Sequence, residues 1–202
     1  MKLTTAPIMR IFHLTINAKD HATFASEGHH NMMTSIENEA GTLLMFAGHD
    51  DDLGESNYVI ECYQDADHYQ VHANSPQFKH YGQVAKQIIT GTEMTNLVPE
   101  LVKSNDIIFR ITKANQLAAR LSKIKLMPEF DFKQLVNTQE QVLLAGRDEE
   151  DKNVAWVLEL YPNTDAAQKY DLSKKVEVLS QIKLTVDIFV DQGSLSYESK
   201  AK

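Results

Sequence analysis

From position 8 the chain alternates with a period of two: Ile8, Arg10, Phe12, Leu14 and Ile16 fall on one face, and Met9, Ile11, His13 and Thr15 on the other. That is the pattern of a half-buried strand. Asp20 then offers a helix N-cap, and Phe24, Met32, Met33 and Ile36 keep a helical spacing to about residue 37. Residues 43–48 and 58–63 are apolar and aromatic, and the HDDDLGES between them has the Asp and Gly content of a hairpin connection. Asp65 or Asp67 can cap a next helix, and Pro76 opens another helical piece carrying Phe78, Tyr81, Val84 and Ile88. Residues 92–102 read as mostly extended, and residues 98–106 as a linker.

The order then repeats. MFAGHDDDLGESNYVIECYQDAD from Met45 aligns without a gap on LLAGRDEEDKNVAWVLELYPNTD from Leu143, an offset of 98 residues (45 to 143). The offset pairs Gly48 with Gly146, Glu61 with Glu159, Tyr63 with Tyr161 and Asp67 with Asp165. Such self-similarity fixes architecture before any motif does. The second copy is expected to run as a strand over 107–111, a short helix over 116–126 stopped by Pro128, a hairpin over 142–161, a helix over 164–182 and a strand over 184–190. Both halves therefore predict βαββαβ, and the fold class is α+β: two ferredoxin-like βαββαβ domains in tandem, residues 1–102 and 103–202.

Hydrophobic residues at 43% and charged residues at 24% are the balance of a globular chain with a packed core. No apolar run approaches the length of a membrane span, and the N-terminus lacks a signal peptide's apolar segment, so a cytoplasmic protein without membrane contact is expected. The single Cys62 lies in the apolar YVIECY and reads as a buried, inert thiol. A net charge of −8 with no basic stripe argues against a nucleic-acid partner.

Certain residues of the first copy, taken in order, resemble the antibiotic-biosynthesis monooxygenase family: Glu39, Gly41 and Thr42 entering the second strand, Glu61 and Tyr63 ending the third, and His72, Ser75 and Phe78 in the following helix. The resemblance covers about residues 8–102. In the second copy Glu159 and Tyr161 persist, but His72 is matched by Tyr170, Phe78 by Val176, and the Gly-Thr pair by Gln139 and Glu140. Family members pair two domains through their sheets as a homodimer. The resemblance therefore implies that pair fused into one chain and packed sheet to sheet as a pseudo-dimer of the dimeric α/β-barrel type, with the second copy mainly scaffold. Whether the fused chain associates further as a homo-oligomer stays open.

The resemblance also implies a monooxygenase, cofactor-independent, oxidising a small quinol-like or polyketide-like aromatic with molecular oxygen. Such chemistry asks for a base, hydrogen bonds to a developing oxyanion and a dry pocket. His72 is the candidate catalytic base, because an imidazole titrates near neutrality and can take a phenolic proton. Asn31, Phe46, Tyr58, Tyr63, Phe78 and Tyr81 are candidate substrate-binding residues. Glu61, repeated as Glu159, reads as structural. His68 and His72, four apart, share a helical face, and His29, His30 or Asp65 could supply a third ligand, but such a pair is more often solvated, and the carboxylate run Asp50 to Asp52 rarely converges on one ion, so no metal is expected. Heme degradation is disfavoured: that branch has its axial histidine where this chain has Gly82, and a tryptophan where it has Tyr63. Two alternatives remain, a non-catalytic ligand-binding or stress-response protein and an isomerase of a small carbonyl compound.

Overall fold

The structure, a computed structural model, describes residues 1–199. The first half forms strand β1 (Ile8–Ile16), helix α1 (His21–Asn38), the hairpin β2 (Thr42–His49) and β3 (Ser56–Tyr63), helices α2 (Ala66–Asn74) and α3 (Pro76–Ile88), and the long strand β4 (Ile89–Ser104). This is the expected βαββαβ order, with β1 at its predicted limits. The second half contributes β5 (Arg110–Ile111), β6 (Ala118–Lys125), β7 (Val142–Asp148), β8 (Val154–Tyr161), the five-residue helix α4 (Thr164–Gln168), β9 (Glu177–Asp191) and β10 (Ser196–Glu198).

Eight antiparallel strands close into a barrel in the order β1-β3-β2-β9-β6-β8-β7-β4, and β4 returns to β1. Two strands join the halves. β4 pairs with β1 through its first part and with β7 through its last, and β9 does the same with β6 and β2. This crossing explains why β4 runs through most of the stretch expected as a linker: residues to Ser104 are needed to reach β7.

Alternation sorts side chains to the two faces of the wall. Met9, Ile11, Leu44, Phe46, Tyr58, Ile60 and Cys62 from one half meet Leu121, Leu144, Leu158, Leu184 and Phe189 from the other inside the barrel. On the outer face Leu14, Ile16, Met45, Val59 and Tyr63 pack beneath Phe24, Met32 and Ile36 of α1.

The second half departs from expectation in both of its helices. Residues 116–126, expected as a helix, are mostly strand β6, because Ala119 and Leu121 fill the barrel interior while the backbone pairs with β8 and β9. The expected strand at 107–111 is reduced to the two residues of β5. Residues 164–182, expected as a helix, give only α4 and a turn of 3-10 helix at Leu172–Lys174 before β9 begins at Glu177. Residues 177–184 are taken into the barrel by β6. No helix among the described residues is long and apolar enough to cross a membrane.

Candidate active site

The residues of the first-copy signature converge under the helices. Glu39, just past the end of α1, is buried and accepts hydrogen bonds from Thr42 Oγ1 at 2.6 Å and Gln77 Nε2 at 2.6 Å, with His72 Nδ1 at 3.0 Å. An ionised carboxylate can only accept, so Nδ1 carries a proton, and in the neutral imidazole Nε2 then presents its lone pair. That Nε2 is buried without a hydrogen-bond partner. His72 itself is 0% exposed, its ring lying 5.2 Å from that of Tyr63 and 4.7 Å from that of Phe78.

Local structure accounts for the spacing of the motif. Asp65 caps α2 by accepting from the His68 amide, which sets the helix so that His72 falls one turn further on, inward. Ser75 ends α2 and caps α3, accepting from the Phe78 amide at 3.3 Å and so turning Phe78 onto the histidine. Gly41 is required by contact: a Cβ there would lie 2.0 Å from the His68 ring.

Two carboxylates flank this histidine and are pushed in opposite directions. Burial would raise the Glu39 carboxyl, but hydrogen bonds from His72 and Thr42 outweigh it and hold the group below the ordinary range. Glu61, on the outward face of β3, is raised by burial, which the nearby His72 and Arg10 offset only in part. Burial and the charge of Glu61 push the Tyr63 hydroxyl well above its ordinary value. Glu61 therefore stands beside His72, next to the candidate site, while its repeat Glu159 has the structural role expected from the repetition.

Among the expected substrate-binding residues, Tyr63, Phe78 and Tyr81 gather around His72, with Phe78 and Tyr81 rings 6.5 Å apart. Asn31 lies on the inward face of α1, buried, with Oδ1 lacking a partner. Phe46 and Tyr58 do not join them. Both point into the barrel interior, since they alternate with Met45 and Val59 on their strands, and Tyr58 stacks on His13 at 4.6 Å. His68 and His72 engage separate carboxylates, His68 binding Asp65 at 2.7 Å, so they do not act as a pair.

The second half repeats the arrangement with different partners. Strand register makes Arg120 the counterpart of Arg10, since each faces the repeated glutamate, Glu159 or Glu61. Arg120 bonds Glu159 at 3.0 Å and the Tyr161 hydroxyl at 2.7 Å, whereas Arg10 stacks over Tyr69 at 4.0 Å. An ion pair thus occupies the second-half position, and a histidine with a free nitrogen occupies the first. With no long helix covering β6 and β9, a cavity of about 820 Å³ opens there, lined by Arg120, Lys183, Gln168 and Asp187 and walled by Ala25 and His29 of α1.

Residues 7–84 match the family model described as antibiotic biosynthesis monooxygenase. No curated protein sequence matches the chain. A presumed monooxygenase from Lactobacillus acidophilus NCFM superposes with a TM-score of 0.80 at 22% identity, over 96% of this chain and 100% of its own. A presumed monooxygenase from Fusobacterium nucleatum subsp. nucleatum ATCC 25586 gives 0.83 at 17% identity, over 98% and 100%. An anthrone oxidase-like protein gives 0.50 at 9% identity, over 90% and 91%. The tandem barrel is therefore a shared fold spanning the whole chain.

Proposed function

We propose that this protein is a cofactor-independent monooxygenase of small phenolic or quinol-like aromatics, with His72 as the base. The observation that carries the reading is the Glu39–His72 pair: a carboxylate fixes one imidazole nitrogen as donor and leaves the other buried and unpartnered beside Tyr63 and Phe78. A phenol placed against that nitrogen would give up its proton, and Glu39 would stabilise the imidazolium formed. The electron-rich phenolate then reduces oxygen directly. One oxygen atom enters an unsubstituted ring position ortho or para to a phenolic oxygen, two hydrogens of the substrate leave with the other oxygen as water, and the ring becomes a quinone, or a hydroxyquinone where the substrate is a hydroquinone. The substrate supplies all four electrons, so no further reductant is needed.

The match of residues 7–84 to a monooxygenase family model supports the same reaction class. Asn31, with its unpartnered Oδ1, supplies a polar contact for substrate, and Tyr63, Phe78 and Tyr81 supply the aromatic wall. A second reading, a ligand-binding protein without turnover, draws on the position of the cavity: the roughly 820 Å³ space lies beside Arg120 and Lys183, away from His72.

Oxygen uptake with a panel of hydroquinones and anthrone-type phenols, with quinone formation followed by absorbance, tests the proposal. Turnover by wild type that disappears in His72→Ala, with the fold retained, is the expected result. Absence of uptake across the panel, or equal uptake by the variant, would overturn it.

A further inference from the structure

We infer that His21, His49 and Asp187 form a binding site for one divalent transition metal ion at the seam between the two halves. One nitrogen or oxygen donor from each of the three lies within 4.8 Å of the others. Donors on a single ion with bonds of about 2.0–2.2 Å sit about 3.3 Å apart in a tetrahedral shell, so side-chain adjustments without backbone movement bring the three onto one ion. Two imidazoles and a carboxylate suit a late first-row ion such as zinc or cobalt(II) rather than calcium or magnesium, which take oxygen.

Three features of the fold aim these side chains at one another. Asp187 is the extra residue of a β-bulge, for Ala47 pairs with Ile188 and Gly48 with Val186, leaving Asp187 without a partner in the ladder. Bulges of this kind redirect a side chain. The Asp187 carboxylate reaches His49 Nδ1 at 2.8 Å. Gly54, in the left-handed conformation at φ +68°, makes room for the His21 ring, since a Cβ there would lie 2.3 Å from it. The His21 and His49 rings meet edge to face at 5.1 Å, and His21 Nε2 is buried with no hydrogen-bond partner.

The other seam supplies an internal comparison. Glu100 is the bulged residue there, as Pro99 pairs with Gly146 and Leu101 with Ala145, and it bonds Arg147 at 2.5 Å. Arg147 stands where His49 stands in the repeat. Arg147 cannot ligate, and its ion pair with Glu100 completes a plain seam contact that needs nothing more. In the first seam the cation is replaced by a neutral-capable ligand, and His21 is added with its nitrogen unpaired. Asp187 also lines the large cavity, so the proposed site borders it.

The site is separate from the one built on His72. His21 opens α1, and Ser35, which bonds Gln77 near Glu39, stands about 21 Å further along the helix at a rise of 1.5 Å per residue.

Cobalt(II) titration of the EDTA-treated full chain, followed by visible absorption, and zinc titration by calorimetry test the inference. One ion per chain is expected, with affinity falling in His21→Ala, His49→Ala and Asp187→Asn by more than the roughly tenfold to hundredfold that loss of a ligand's hydrogen-bond partner costs. Gly54→Ala should weaken binding while removing no ligand, and His68→Ala should leave it unchanged. Near-UV circular dichroism establishes that each variant keeps the fold. Binding that is absent in wild type, or that survives Asp187→Asn and His21→Ala undiminished in folded protein, overturns the inference. Both results are independent of oxygen uptake, so this site and the His72 site stand or fall separately.

Discussion

His72 Nδ1 lies 3.0 Å from Oε2 of Glu39, a buried contact made across 33 residues of chain. It ties α2 to the end of α1. The Glu39 carboxyl is held below its ordinary value because hydrogen bonds from His72 and Thr42 outweigh the cost of burial. A depressed carboxylate stabilises the fold above its unfolded value of 4.5, and that contribution is lost as pH falls through the lower folded value. Glu39→Gln should therefore cost about 1–3 kcal/mol at pH 7, the usual penalty for breaking a buried polar contact. The difference from wild type should narrow below the unfolded value, as read by urea unfolding at neutral and acid pH.

Glu61 should behave in the opposite sense. Burial raises its carboxyl, with only partial relief from His72 and Arg10. The folded state then favours the protonated form, so its contribution is full below 4.5 and declines as pH rises through the folded value. Glu61→Gln, which resembles the protonated acid, should gain in melting temperature relative to wild type as pH increases from about 5 to 8. A constant difference across that range would show that the glutamate does not titrate with folding.

Arg120 supports a buried carboxylate in the second half. It bonds Glu159 at 3.0 Å and the Tyr161 hydroxyl at 2.7 Å. Arg120→Met leaves Glu159 without its cation and should destabilise by about 3–5 kcal/mol. Combining it with Glu159→Gln should recover part of that loss, and a double-mutant cycle by chemical denaturation measures the coupling.

Cys62 points into the barrel interior, and burial pushes its thiol up to about 12. Reaction with a disulfide reagent such as DTNB should be negligible in native buffer and stoichiometric in denaturant. Fast labelling of the native protein would place the thiol elsewhere than in the core.

The hairpins were readable in the sequence because their alternation and their acidic turns depend on neighbours in the chain. The same holds for β1, α1, the Asp65 cap and Pro76 at the start of α3. Residues 116–126 misled because AARLSK suits a helix by local preference, while long-range pairing to β8 and β9 makes most of the segment strand. The shortness of α4 has a similar origin, since β6 draws residues 177–184 into the barrel. The pairing of the signature residue Glu39 with His72 is not legible because it is made across 33 residues of chain, and the place of Glu61 beside His72 is not legible because a carboxylate's surroundings depend on which face of the wall it occupies. Phe46 and Tyr58 were drawn in for the same reason: aromatic character is visible in sequence, and the direction it points within a closed barrel requires the partner strands. His21, His49 and Asp187 were out of reach, as Asp187 meets His49 only through a bulge 138 residues away in the chain.

The crossing of β4 and β9 between the halves has a thermodynamic consequence. Each of these strands keeps one end in its own half and lends the other to its neighbour, so neither repeat can complete its ladder alone. Two copies of a motif should therefore melt as one cooperative unit, with a calorimetric enthalpy equal to the van't Hoff value, rather than as two transitions of half the size.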